Sequence, residues 1–181
     1  MKLAASRSHA AVHAGPRVVP FEFLDTQPII ASTIILDIDG TITPDAKSEI
    51  SPGVLGAIQS LANRNKVYLF SNHQNGVRNR ALAQRLGLEY IDTPHRKPSR
   101  KVLGGMPMCH KTRPMIIIGD KILTDGLFAS RIGARFIRVA RVLSSSDPKL
   151  VRLAYFLDNM IAYLLTKLRE ISHRDDSLEV T

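Results

Sequence analysis

The stretch IILDIDGTIT, residues 34–43, decides the fold of this chain. It belongs to a longer segment, PIIASTIILDID at 28–39, whose apolar, β-branched run is short and is followed by Gly40. Such a run is typical of a strand that is buried on both faces of a parallel sheet. The strand ends on two aspartates, Asp37 and Asp39, which lie one residue apart. Two like charges at the end of a buried strand indicate a polar site at that edge of the sheet.

Further strand-like runs alternate with helical patterns along the chain. Ser51 followed by Pro52 predicts the N-cap and the first position of a helix over SPGVLGAIQSLANR. Two later helices are predicted at about 77–86 and 124–132, each ending at a glycine. The other predicted strands are VYLFS at 67–71, LEYI at 88–91, MIIIGD at 115–120 and RFIRVARV at 135–142. This alternation predicts an α/β fold, a doubly wound parallel sheet with helices on both faces.

The composition limits the kinds of partner. With 181 residues, 44% of them hydrophobic, the chain can bury the core of one ordinary domain. Its net charge of +9 favours acidic partners, such as phosphorylated substrates, anionic lipid or nucleic acid. The single cysteine, Cys109, excludes an intramolecular disulfide and a multi-cysteine metal site. No run reaches the roughly 20 apolar residues that a membrane-spanning helix needs.

The N-terminal segment has no acidic residue before Glu22. We therefore expect residues 1–25 to be basic and disordered, followed by a globular domain at 26–142 and a separate C-terminal part at 143–181. The segment lacks the continuous apolar stretch of a secretory signal. Its composition is that of an organelle transit peptide, so a mitochondrial or other organelle location stays open beside a cytoplasmic one.

Polar residues follow three of the predicted strands. They are Asp37, Asp39, Ser71, Asn72 and Asp120. Ligands of open α/β sheets bind just beyond the carboxyl ends of the strands, so these side chains are predicted to share one site, although each alone could cap a helix or begin a turn. Clustered carboxylates repel one another unless a cation lies among them, and oxygen ligands suit Mg²⁺. With Lys97 nearby, the site could hold a phosphoryl group.

Four motifs occur in order across this region. They are DIDGT at 37–41, the strand ending in Ser71, the Lys97-Pro98 pair and GDKILTD at 119–125. In this order they resemble the four motifs of the haloacid dehalogenase (HAD) superfamily of phosphatases, over roughly residues 30–142. The resemblance implies a Rossmann-like sheet and a Mg²⁺-dependent phosphomonoester hydrolase that works through an aspartyl-phosphate.

The resemblance also implies a role for each motif residue. Asp37 would be the nucleophile, and Asp39 would protonate the leaving oxygen and later activate water. Mg²⁺ would be bound by Asp37, the backbone carbonyl of Asp39 and Asp120. Asp125 would support these ligands or orient Lys97.

The phosphoryl group would be held by a second set of residues. By the same resemblance, Ser71 and the backbone of Asn72 would hydrogen-bond its oxygens, and Lys97 would neutralise them. Thr41 would shape the loop around the nucleophile.

The spacing of the motifs limits the substrate. Superfamily members that act on small metabolites commonly carry a cap domain, inserted after the first motif or between the second and the third. Here about 25 residues separate Thr43 from the strand ending at Ser71, and the step from Ser71 to Lys97 is similarly short. We therefore expect no cap domain and an open site, which suits a phosphate carried on a lipid surface, a nucleic-acid end or a protein.

The resemblance narrows to one branch of the superfamily. EISPGVLGAIQSLANRNKVYLFSN, LGLEYIDTPHRKPSRKVL and IGDKILTDGLFASRIGARFIRVARV are similar to the YqeG-like branch, which includes the phosphatidylglycerophosphate phosphatases. These enzymes remove the terminal phosphate to leave phosphatidylglycerol, and we expect this reaction here. The branch is associated with asparagine after the second aspartate, where this chain has Gly40. The alternatives are a polynucleotide end, a sugar phosphate, or a non-catalytic basic binding module.

Basic residues near the motifs fit an anionic substrate. They are Arg78, Arg80, Arg96, Arg100 and Lys101. They could pair with the second phosphate of a lipid headgroup or with a polynucleotide backbone, and we expect Arg96 and Arg100 to bind substrate. Because the chain has no tryptophan and only 6% aromatic residues, nucleic acid is the weaker substrate. His73 and His95 are either substrate contacts or polar loop residues.

The C-terminal part contains a long amphipathic pattern. In KLVRLAYFLDNMIAYLLTKLRE, at 149–170, apolar residues recur at helical spacing. The predicted helix packs on the sheet, pairs with a copy in a homo-oligomer, or lies on an anionic membrane surface. Asp158 and the short uncharged runs argue against a membrane span.

Overall fold

Five parallel strands form the centre of the molecule. The structure, a computed structural model, describes residues 18–73, 75–108, 113–142, 153 and 155–165. The strands are β1 (Thr33–Asp37), β2 (Lys66–Phe70), β3 (Glu89–Tyr90), β4 (Met115–Gly119) and β5 (Arg135–Arg138). They lie in the order β3-β2-β1-β4-β5, and each neighbouring pair is parallel. The predicted α/β fold with a parallel sheet is confirmed.

Short helices lie between the strands, and one precedes the first strand. They are α1 (Pro52–Arg64), α2 (Gly76–Leu86), α3 (Leu127–Ile132) and two 3₁₀-helices, Phe21–Thr26 and Arg100–Gly105. As predicted, Ser51 caps α1, because its Oγ accepts a hydrogen bond from a backbone N–H of the first turn at 3.3 Å. Gly87 and Gly133 end α2 and α3 in left-handed conformations. The helix predicted at 124–132 begins later than expected, since a π-helical turn (Ile122–Gly126) precedes it.

Two hydrophobic clusters cover the two faces of the sheet. Side chains alternate along β1, so Ile34 and Leu36 pack with α1 and α2, whereas Ile35 packs with α3 and the second 3₁₀-helix. Helices therefore cover both faces, as predicted. In the described part of the chain, the connection from β1 to β2 contains only α1 as a helix, and no cap domain is inserted there.

The folded domain begins earlier than the predicted boundary at residue 26. The backbone of Val19 exchanges hydrogen bonds with the chain around the end of β5, at 3.1 and 2.8 Å. Phe21 and Leu24 are buried in the core beside α1. Residues 18–25 thus add apolar surface to the core and are not a disordered segment. The strand predicted at 28–39 is also too long, because β1 starts after a turn in which Ala31 has a φ of 51°.

Several predictions fall outside the described residues. These include the N-terminal segment before residue 18, Cys109 and the tail after residue 165. A helix covers 155–165, within the predicted amphipathic segment. None of the described helices is long and apolar enough to cross a membrane.

Candidate active site

The carboxyl ends of β1, β2 and β4 bring the predicted site residues together. β1 is the central strand, and its last residue, Asp37, lies opposite the last residue of β2. Ser71 directly follows β2, Asp120 directly follows β4, and Asp39 lies two residues beyond β1. All four side chains are buried. The register of the parallel strands therefore produces the shared site that the sequence predicted.

Asp37 lies between Lys97 and Thr41. Lys97 Nζ is 2.5 Å from Asp37 Oδ1 and 2.5 Å from Asp125 Oδ1, while Thr41 Oγ1 donates to Asp37 Oδ2 at 3.1 Å. Burial raises the pKa of Asp37 to about 7, against the opposing effect of the lysine. Burial acts to lower the pKa of Lys97, but Asp125 and Asp37 outweigh it, so this pKa lies above its ordinary value. A charged amine is thus held against the predicted nucleophile.

Three buried carboxylates form a compact cluster. Oxygen atoms of Asp37, Asp120 and Asp125 all lie within 4.8 Å of one another. Desolvation raises the pKa of Asp120, and the nearby Asp125 carboxylate adds to this effect. A set of carboxylate oxygens suits a hard cation such as Mg²⁺, which would relieve their repulsion. The side chain of Asp39 lies outside this cluster.

The charges around the cluster also fit a divalent cation. The carboxylates are Asp37, Asp39, Asp45, Asp120 and Asp125, and the cationic side chains paired with them are Arg78, Lys97, Lys121 and Arg141. Among these residues, the negative charges exceed the positive charges by one. A divalent ion would reverse that sign, and an anionic phosphate ester binds best where the local charge is positive.

The carboxylate of Asp39 is held by three donors. Ser71 Oγ donates to Oδ2 at 2.6 Å, Ala46 N–H donates to Oδ1 at 3.0 Å, and Arg78 Nη1 lies 2.9 Å from Oδ1. Ser71, predicted to hold a phosphoryl oxygen, therefore binds the predicted acid in this structure. Arg78 is one of the basic residues predicted to fit an anionic substrate, but its side chain is only 9% exposed and points at Asp39. No local sequence pattern predicted this contact, because the long Arg78 side chain extends from the start of α2 to a residue that is distant in the sequence.

Asn72 holds the loop that carries Lys97. Its Oδ1 accepts from Lys97 N–H at 2.8 Å, and its Nδ2 donates to Lys97 O at 2.9 Å. This reciprocal pair fixes the backbone of the lysine. The prediction for Asn72 concerned its backbone, and the structure assigns its side chain this separate positioning role.

Arg141 is a site residue that the sequence did not reveal. Its Nη1 lies 2.6 Å from Asp120 Oδ2, and its Nη2 lies 2.7 Å from Asp45 Oδ2. Gly40, with a φ of 83°, lies against this pair: a Cβ there would be 2.5 Å from Arg141 Nη1 and 2.6 Å from Asp120 Oδ2. Glycine therefore leaves the space that the arginine and the aspartate occupy. Arg141 follows β5, far along the chain from Gly40, so no short motif contains both.

We expect Gly40→Asn, which introduces the residue associated with the similar branch, to lower turnover roughly tenfold or more, because small displacements of catalytic groups are costly. The new side chain would displace Arg141 and Asp120, whereas asparagine tolerates a positive φ, so the fold should survive. Steady-state kinetics over a range of Mg²⁺ concentrations measures the effect. Adding Arg141→Ala should recover part of the loss by freeing space, and a Gly40→Asn protein with wild-type turnover would contradict the expectation.

The site opens into a cleft with a volume of about 420 Å³. Its lining includes Asp37, Asp39, Ser71, Asn72, His73 and Lys97. A smaller cavity of about 150 Å³ adjoins it, shares Ser71 and Asn72 with it, and is lined in part by His95 and Arg96. Arg100 is exposed on the second 3₁₀-helix and is not among the residues lining either space. The fold thus brings Arg96 to the site, but not Arg100.

A parallel sheet whose central strand ends at Asp37, with Asp39 two residues beyond it and a buried lysine and two further buried aspartates beside them, has the arrangement of a HAD-like phosphatase. A family model described as mitochondrial PGP phosphatase matches residues 17–143, which is most of the chain. The chain belongs to this family of phosphoric monoester hydrolases, which dephosphorylate phosphatidylglycerophosphate. No curated protein matches the chain closely.

Proposed function

We propose that the protein hydrolyses the terminal phosphomonoester of phosphatidylglycerophosphate with Asp37 as nucleophile and Asp39 as general acid and base. The observation that carries this proposal is the placement of Asp37. Its carboxylate is buried at the end of β1, with one oxygen against the Lys97 amine and the other accepting from Thr41. A nucleophile held from both sides has a fixed direction of attack, which favours reaction with a bound phosphoryl group.

The proposed reaction has two steps. An oxygen of Asp37 attacks phosphorus, the bond from phosphorus to the glycerol oxygen breaks, and Asp39, which enters this step in its protonated form, gives its proton to that oxygen. Asp39 then takes a proton from water, the water oxygen bonds to phosphorus, and the bond to Asp37 breaks to release inorganic phosphate. The contacts of Ser71 and Arg78 with Asp39 orient the carboxylate that moves both protons.

We further propose Mg²⁺ as the cofactor. It would be held by the carboxylates of Asp37 and Asp120 and the backbone carbonyl of Asp39, with Asp125 holding Lys97 in place beside it. When bound, it would supply positive charge to the phosphoryl oxygens. Lys97 contributes a second positive charge at Asp37 Oδ1, while Thr41 contacts Asp37 Oδ2.

The open cleft supports a substrate carried on a lipid surface. A net charge of +9 and the exposed Arg96 beside the cleft favour an anionic membrane over a neutral one. We therefore place the enzyme at the surface of an anionic membrane. The family description supports a mitochondrial location. This agrees with the organelle location that the N-terminal composition left open beside a cytoplasmic one. A homo-oligomer stays a prediction.

Phosphate release from phosphatidylglycerophosphate in mixed micelles tests the proposal. We expect turnover with Mg²⁺, no turnover after chelation, and recovery when Mg²⁺ is added back. A 3′-phosphorylated oligonucleotide and soluble sugar phosphates should be hydrolysed far more slowly. Equal or faster turnover of these soluble esters would contradict the lipid substrate, and activity that survives chelation would contradict the metal.

A further inference from the structure

The polar face of helix 155–165 is bound to the catalytic domain. Asp158 is only 2% exposed. Its Oδ2 accepts from Ile122 N–H at 3.0 Å, and its Oδ1 accepts from Leu123 N–H at 2.8 Å. Arg138 Nη2 donates to Asp158 Oδ2 and to Asn159 Oδ1, both at 2.8 Å. A buried ion pair and two backbone hydrogen bonds therefore attach this face of the helix.

The attachment lies beside the candidate active site. Ile122 and Leu123 begin the turn that follows Asp120. Arg138, which binds Asp158, also donates from Nε to the backbone carbonyl of Asp120 at 3.0 Å. The guanidinium of Arg141, which holds the Asp120 carboxylate, lies 5.2 Å from the centre of the Tyr155 ring. The helix is thus fixed next to the catalytic edge of the sheet.

The other face of this segment is apolar and exposed. Its residues recur every three or four positions and are 41–63% exposed: Leu153, Phe156, Leu157, Met160 and Leu164. We call these five residues the apolar stripe. Amphipathic helices of globular proteins usually turn their apolar face to the core and their polar face to water. Here the arrangement is reversed, because the polar side with Asp158 faces the domain. The helix does pack on the domain, which was one of the sequence-based alternatives, but not through its apolar side.

We propose that the apolar stripe is the surface by which the protein lies on an anionic lipid membrane. Lys149 and Arg152 precede the stripe in the sequence, and Lys167 and Arg169 follow it. Apolar residues flanked by basic ones, on a chain with a net charge of +9, complement the acyl region and the anionic headgroups of such a surface. The membrane contact rests in part on the proposed function, because a lipid-borne substrate requires the catalytic edge to meet the membrane.

A second copy of the chain is a weaker candidate than a membrane for covering the apolar stripe. A stable protein interface buries about 800 Å² on each partner. The stripe covers one side of a segment that is about 18 Å long at roughly 1.5 Å per residue, and this is small for such an interface. A membrane needs no matching protein surface, so the same stripe suffices for lipid.

Sedimentation of the full chain with vesicles tests the proposal. The vesicles contain either phosphatidylcholine with phosphatidylglycerol or phosphatidylcholine alone. We expect binding to the anionic vesicles, and about a tenfold or greater loss of binding in the double variant Phe156→Ser with Met160→Ser, since apolar burial drives insertion. Phe156→Leu with Met160→Leu should retain binding. The matched control, Phe23→Ser with Ile30→Ser, replaces two apolar residues of comparable exposure that lie outside the apolar stripe, and it should bind like the wild type.

Two further measurements separate the outcomes. Hydrolysis of phosphatidylglycerophosphate in vesicles should fall with binding, while hydrolysis of the water-soluble ester para-nitrophenyl phosphate should stay unchanged. Unchanged vesicle binding by the serine variant would overturn the proposal, as would a change from dimer to monomer in light scattering without loss of lipid binding. Vesicle binding is measured independently of turnover. A wild-type protein that binds vesicles but does not hydrolyse phosphatidylglycerophosphate would therefore contradict the proposed substrate and leave the proposed membrane surface intact.

Discussion

Asp37→Asn is expected to abolish phosphate release, with a loss of roughly 10⁴-fold or more, because the amide cannot attack phosphorus. The amide has the shape of the carboxylate and can keep its contacts with Lys97 and Thr41 in modified form, so the fold should remain. Release of inorganic phosphate and the far-UV circular dichroism spectrum measure the two effects. Asp25→Asn serves as the control, since the Asp25 side chain is 58% exposed and lies away from the site. Retained turnover in Asp37→Asn would rule out this nucleophile.

The same variant has an expected effect on stability in the absence of metal. Burial raises the pKa of Asp37 to about 7, above its ordinary value near 4, so the protonated form favours the folded state. The stability linked to this group is present below about pH 4 and is lost as the pH rises through about 7. The neutral amide of the variant would carry no such penalty. We therefore expect the variant, in a chelating buffer, to gain melting temperature relative to the wild type as the pH is raised across this window.

Lys97→Met is expected to destabilise the metal-free protein by about 3–5 kcal/mol and to lower turnover by at least about 10²-fold. Lys97 is 4% exposed, and its amine lies 2.5 Å from both Asp37 and Asp125. Methionine fills similar volume but leaves two buried carboxylates without their cation. Urea unfolding and steady-state kinetics measure the two losses.

The control for this variant is Lys101→Met, which removes an exposed lysine four residues further along. This control should change neither the free energy of unfolding nor turnover appreciably, because exposed charges contribute little to stability. Added Mg²⁺ should restore part of the stability lost in Lys97→Met, because a cation would again neutralise the cluster. A Lys97→Met protein that unfolds at the wild-type urea concentration would show that the amine is not needed to balance the buried carboxylates.

Local signals explain why the fold was predictable. The strand runs, the Ser51 cap of α1 and the left-handed Gly87 are properties of a few adjacent residues, and each appears in the structure. The gathering of Asp37 and Asp120 was predictable as well, since both end strands of one parallel sheet and such strands end at one edge. The predicted domain boundary was wrong where the local signal was weak. Residues 18–25 belong to the core, because Phe21 and Leu24 pack against apolar residues that are distant in the sequence.

The sequence by itself thus determined the sheet, the helices and the edge at which the aspartates meet, because strand periodicity, caps and strand ends are encoded locally. Only the tertiary structure decided that Arg78 binds Asp39, that Arg141 fills the space beside Gly40, and that helix 155–165 turns its apolar side outward. Each of these depends on a charged side chain reaching a partner that is distant in the chain. A buried charge must find such a partner to offset its desolvation, and which partner it finds is set by the three-dimensional packing rather than by any neighbouring residue.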